Sequence, residues 1–330
     1  MTLSSRIQYK LKRTYVDTLF FLNLERILIT GKKVNKILMY HGIDLVEEKK
    51  FNSRFIGVNN FRRQILFLKR HTNIISLQDF FEKKFDPNKS NIAITFDDGF
   101  LNNYKYAVPI LEELKVKATI YVTGLNLTEQ NILWPDYIDI ASYFTAAPIQ
   151  IDTTIFNKNT NGKYHSSEEN KTLNEIIKEK GNYEYKLAAF KEFEKHCPDF
   201  KKMEEISDYW KLMNDEQLKK VDNGGYVRIE SHAFWHNNLA NIPFSEATKE
   251  LQDSKNYLEN LLQREITELA YPDSSYSREL ISAAESIGYK YQLAADGYRF
   301  DEDVNDHRIM DRDGLYPAIS WCNQMVNLFS

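Results

Sequence analysis

From residue 36 onward, short β-like runs alternate with helical patterns, and this alternation restricts the chain to a parallel sheet or barrel built from βα units. The runs are KILMYHGI, NIISL, NIAITFDD, ATIYVTG, YVRIESH, ELAYP and YQLAAD. Between them apolar residues recur at helical spacing over residues 59–70, 103–114, 245–263 and 277–287. Seven such strands predict a closed or nearly closed barrel. In these folds reactive groups gather where strands end and loops begin. The polar residues at those ends are His41, Asp97, Asp98, Thr123, Ser231, His232, Asp273 and Asp296, all expected to face one mouth.

Two stretches stand outside the βα rhythm. About 100 residues, from roughly 125 to 225, exceed any ordinary loop and predict an inserted, mainly helical subdomain. Within it LWPDYIDIASYFTAA reads as a helix, PIQIDTTIF as a strand pair with a turn at NKNTNGK, and residues 168–221 as charged helices. Such an insertion would cover a substrate or serve as a dimerisation surface. The other stretch, residues 1–35, is a basic amphipathic segment, with Ile7, Leu11, Tyr15, Leu19 and Leu22 at helical spacing. It is expected either to pack on the outside of the barrel or to lie on an anionic membrane surface. Its TLFFLNL run is too short and too closely flanked by acids for a membrane span. The barrel itself is expected to occupy residues 36–330.

Composition narrows the function. A net charge of -4 gives no reason to expect a nucleic-acid partner. Twenty Tyr, 20 Phe and 4 Trp suit sugar rings as well as core packing. Two cysteines, Cys197 and Cys322, with no CxxC spacing, predict a reducing cytoplasm, with peripheral contact at the inner face of the membrane through the basic segment. They also imply that sulfur holds no metal.

The chemistry concentrates in two short motifs. TFDDG ends a buried run on adjacent carboxylates, which resist losing water unless a cation neutralises them. SHAFWH offers His232 and His236 four apart; one helical turn after the strand would set them on the same side. One carboxylate with two imidazoles makes a three-ligand site with positions left for water and substrate. Phosphatases of the haloacid dehalogenase type need D-x-D-x-T, which adjacent aspartates do not supply.

TFDDG followed by SHAFWH resembles the first two motifs of the polysaccharide deacetylase family, carbohydrate esterase family 4, also called the NodB homology domain. The resemblance runs from about residue 36 to 310, with MYHGI before the first motif and AYPDSSYS similar to the third. It implies an α/β fold, a distorted (β/α)7 barrel, and metal-dependent removal of N-acetyl, or sometimes O-acetyl, groups from carbohydrates. It further implies Asp98, His232 and His236 as metal ligands and Asp97 as general base, with zinc expected ahead of cobalt, nickel or manganese. The third motif departs from the commonest family form, having Ala270 where an arginine usually orients the base; Tyr271, Pro272 and Asp273 are the expected substrate-facing residues there. His41 and His307 are the two candidates for the general acid, His41 being preferred. The expected substrate is an acetylated carbohydrate, a glycan precursor or lipid-linked saccharide. A catalytically inactive glycan-binding homologue is the alternative.

Overall fold

The strands Asn35–Tyr40, Asn91–Phe96 and Ala118–Val122 read as near-continuous apolar runs, and their residues are almost all buried. Burial on both faces is what a parallel sheet covered by helices requires. The computed structural model describes residues 3–46 and 50–329. Its main sheet has nine strands. Asn35–Tyr40 pairs in parallel with Asn91–Phe96, which pairs with both Asn73–Ile74 and Ala118–Val122. Val227–Ser231, Glu268–Ala270 and Tyr291–Leu293 follow in parallel. These are the seven expected strands, curled into a half-barrel with helices outside.

Closure comes from a segment that the alternation did not reveal. Ile309–Met310 pairs with Gln292 and Leu293, and three residues later Asp313–Gly314 pairs with Leu38 and Met39 at the other end of the sheet. Backbone bonds from Ala294 N to Met310 O, Asp296 N to Arg312 O and Leu315 N to Met39 O continue the seam. One short extended stretch therefore joins the first strand to the last. Arg312 lies within it.

The predicted helices form as Val58–His71, Phe244–Leu262 and Arg278–Ile287. The one expected over 103–114 opens with a wide π turn, Asn103–Ala107, before Val108–Glu113. Pro109 has no N–H to give to the carbonyl four residues back, so the turn widens there. Near the amino terminus Leu3–Phe21 is helical and packs on the C-terminal helix Trp321–Asn327. Of the predicted stripe it buries Leu19, with Val16, and leaves Ile7, Leu11 and Tyr15 outside. No helix among the described residues is long and apolar enough to cross a membrane.

The long insertion has a core of its own, including Trp134, Tyr137, Phe190 and Phe193, which extends to Phe55 and Phe100 at the barrel mouth. Its helices Trp134–Phe144, Leu173–Lys180 and Tyr183–Glu194 accompany a four-stranded antiparallel sheet running from Ile149 to Thr172. It returns to the barrel earlier than residue 225. Met213 N bonds to Gly99 O, and the helix Asp215–Asn223 buries Leu218 and Val221 in the barrel core.

Candidate active site

At the end of Asn91–Phe96 the chain turns sharply, with φ of 77° at Asp98 and 72° at Gly99. A side chain at Gly99 would lie 2.8 Å from Val122 Cγ1, so the second turn residue has to be glycine-like in both conformation and volume. This turn aims Asp98 at the loop after Val227–Ser231. His232 and His236 occupy that loop, but not on a helical turn as the spacing predicts. Left-handed residues at Ala233 (φ 60°) and His236 (φ 52°) fold the loop back instead and bring the two rings to 5.1 Å between centroids.

The Nε2 atoms of His232 and His236 lie 3.5 and 3.3 Å from Asp98 Oδ1. One ligand atom from each of the three residues falls within 4.8 Å of the others, and all three residues are buried. Asp98 Oδ1 receives no hydrogen bond although it is sealed from solvent. His232 Nδ1 donates to Ala270 O at 2.7 Å, which leaves Nε2 with a lone pair toward Asp98. An orphaned carboxylate oxygen facing two imidazole nitrogens is a donor set that fits a divalent cation. Burial alone would raise the Asp98 carboxyl, but the two histidines and Arg54 outweigh it and hold Asp98 well below the usual range.

Asp97 points into the same space and has a different partner. Arg312 grips it with two bonds, Nη1 to Oδ1 at 2.6 Å and Nη2 to Oδ2 at 2.7 Å. That guanidinium is fully buried and is itself fixed by Ala294 O at 2.9 Å and Thr95 Oγ1 at 3.2 Å. Burial works to raise Asp97, yet Arg312 keeps it below the ordinary carboxylate value, and thus ionised. The position usually filled by arginine is Ala270, which is buried and too small to reach the carboxylate. Sequence reading missed Arg312 because no strand was legible around it; the only signal was an arginine between two apolar-flanked aspartates in IMDRDG.

Residues 84–292 match the family model described as Polysaccharide deacetylase. The chain belongs to the polysaccharide deacetylase family. It is 24% identical over 259 residues to the YxkH protein of Bacillus subtilis (strain 168), covering 77% of this chain and 62% of that one. It is 25% identical over 185 residues to the poly-beta-1,6-N-acetyl-D-glucosamine N-deacetylase of Staphylococcus aureus (strain MRSA252), covering 54% of this chain and 61% of the other. The chain thus spans about three fifths of the length of these curated relatives. Among solved structures, the Streptococcus pyogenes deacetylase PplD in complex with acetate aligns with a TM-score of 0.57 and 17% identity over 91% of this chain and 100% of that one. This likeness shows the fold, a distorted polysaccharide deacetylase barrel.

The remaining predicted residues of this family member sort by the face of the sheet they occupy. A cavity of about 330 Å³ at the carboxyl ends of the strands is lined by His41, Asp97, Asp98, His232, His236, Tyr271, Asp273 and Asp296, with Arg54 and Tyr316. A larger cleft, about 780 Å³, opens at the other end beside Asn35, Lys36 and Tyr291, and His307 lines that one. His307 precedes the strand Ile309–Met310 instead of following it, so the parallel sheet carries it to the face away from the carboxylates. It is not part of this site. Thr123 and Ser231 also miss the mouth: Ser231 Oγ meets Ser254 and Tyr289 behind the strand, because successive side chains point to opposite faces. Pro272 is buried within its turn, off the cavity wall. Tyr271 forms wall, its hydroxyl donating to Gln292 at 2.6 Å. Asp273 is held by Lys178 at 2.7 Å and by Asn238 at 3.1 Å.

His41 sits at the end of the first strand with Nδ1 sealed from solvent and unbonded. Burial, helped by Arg54, pushes its imidazole down to about 4, although Asp98 and Asp97 pull the other way. The ring is therefore neutral in the resting site at pH 7.

The insertion builds one wall and supports another. Trp134, Pro135, Asp139, Asn174 and Lys178 line the cavity. Asp136, on the first inserted helix, accepts from Arg54, whose Nη1 reaches Asp98 Oδ2 at 3.0 Å. Burial pushes Asp136 up to about 7 despite that partner. Buried Lys186 donates to His236 O and Asn237 Oδ1, each at 2.8 Å, while Glu250 from the barrel side accepts from Trp235 N at 2.8 Å and Asn237 Nδ2 at 2.9 Å. The histidine loop is clamped from both sides.

Proposed function

We propose that this chain is a metal-dependent carbohydrate deacetylase that hydrolyses an N-acetyl group, with zinc as the expected ion. The observation that carries the reading is the convergence of Asp98, His232 and His236 beside a separately held Asp97. A divalent ion on those three residues would acidify a bound water and polarise the acetyl carbonyl. Asp97, kept anionic by Arg312, is placed to take the proton of the attacking water. His41 is the group at the mouth placed to return a proton to the leaving amine; the resting site holds it neutral, so it has to acquire that proton once substrate is bound. On the cavity wall Tyr316, partly exposed, supplies an aromatic side chain suited to packing on a sugar ring. The Staphylococcus aureus relative is named for N-deacetylation of poly-beta-1,6-N-acetyl-D-glucosamine, which supports an N-acetylated glycan, free or lipid-linked, as the substrate class.

Ala270 is the feature that favours a non-catalytic glycan binder, and Arg312 answers it by supplying the base with a partner from elsewhere. Mass spectrometry of N-acetylglucosamine oligomers and acetylated lipid-linked saccharides, incubated with zinc-loaded protein, tests the proposal. Loss of acetyl that disappears in Asp97→Asn is the expected result. Binding of these glycans with no acetyl loss would establish the binder instead.

A further inference from the structure

Residues 1–36 hold eight basic side chains against two acids, Asp17 and Glu25, a net charge of +6 in a chain whose total is -4. The fold turns both acids inward. Asp17 Oδ1 accepts from Ser320 Oγ at 2.6 Å and Asn323 Nδ2 at 2.9 Å, and buried Glu25 meets His71 and Arg70. Among the described residues of this segment, every charged side chain that stands fully exposed is therefore cationic.

The helix Leu3–Phe21 has two unlike faces. Val16 and Leu19 are buried on the inner one. On the outer one Ile7, Leu11 and Tyr15, four residues apart, are 51%, 65% and 57% exposed, and Leu22 and Ile27 extend the apolar surface past the helix end. Half of the large apolar side chains left exposed among the described residues fall between Ile7 and Ile27. Arg6, Lys10, Lys12 and Arg26 stand exposed beside them.

We propose that this face docks on an anionic lipid surface. Protruding apolar side chains next to cations match the boundary of a bilayer, where the former enter the acyl region and the latter meet the phosphates. A second copy is a poor occupant, since a two-fold contact would set the +6 segment against itself. The helix is tied to the segment that forms part of the cavity wall, since Ser320, bonded to Asp17, follows Tyr316 by four residues.

Co-sedimentation of the full chain with vesicles of phosphatidylglycerol and phosphatidylcholine, compared with phosphatidylcholine alone, tests this. Wild type should bind the anionic vesicles at least about ten-fold more strongly and release from them at high salt. Leu11→Asp should weaken binding about ten-fold or more. The double change Lys10→Glu with Lys12→Glu should weaken it about 25-fold, with the melting temperature unchanged in both variants. No binding, equal binding to the two vesicle types, or unchanged binding by Leu11→Asp would overturn the proposal. So would a dimer in sedimentation that Leu11→Asp splits, because a second copy would then be the occupant.

Discussion

Asp97 accepts two bonds from Arg312, whereas its neighbour Asp98 turns one oxygen toward two imidazoles and the other toward Arg54. Under the proposed reading Asp97→Asn is nearly isosteric; it removes proton acceptance and gives up the charge and one of the two bonds shared with Arg312. Elemental analysis should find the metal content unchanged while turnover falls about 10²-fold or more. Arg312→Met leaves a buried carboxylate unpaired and should cost about 3–5 kcal/mol in denaturant unfolding. His41 makes two separable predictions. His41→Ala should depress hydrolysis of an N-acetyl sugar far more than that of an activated acetyl ester, whose leaving group needs little protonation; equal losses would remove it as the acid. Its depressed pKa also has a sign. The unfolded chain binds this proton below about 6.5 and the folded one only below about 4, so stability falls as pH drops through that window, by about 3 kcal/mol. His41→Gln should flatten this part of the profile.

At the scale of elements, the insertion is a support as well as a wall. Lys186, on the inserted helix Tyr183–Glu194, is buried and bonded to the backbone of a proposed ligand, His236. Burial pulls its ammonium down and pushes the nearby Glu250 carboxyl up, so each needs the other nearby to stay charged. Lys186→Met keeps an unbranched side chain of nearly the same length and deletes two bonds to the histidine loop. Zinc affinity by calorimetry should drop about 10–100-fold, as for other partners that orient ligands from behind. Unchanged affinity would mean that the insertion covers the site without holding it.

For the whole molecule, a ligand that binds only the folded state stabilises it in proportion to the logarithm of one plus its concentration divided by its dissociation constant. Zinc at about 100 times its dissociation constant should add about 2.7 kcal/mol, a rise of several degrees in melting temperature. Chelation should reverse the rise, and His232→Ala should abolish it. A metal-independent melting curve in wild type would count against the three-residue site.

The sequence alone determined the strand order of chemistry-bearing ends, the barrel class and the pairing of TFDDG with SHAFWH. Each of these is written in local periodicity or in a motif a few residues long. The helical turn expected between His232 and His236 failed because spacing does not report φ, and two left-handed residues did the folding instead. His41 is the preferred acid because it ends the first strand, while the loop holding His307 has no position until the parallel sheet sets the two histidines on opposite faces. Only tertiary structure brought Arg312 to Asp97, across 215 residues of chain, and Lys186 to the histidine loop across 50. Both contacts arise where distant segments close a seam around buried charge, and burial, not sequence proximity, is what makes a carboxylate or a lysine require its partner.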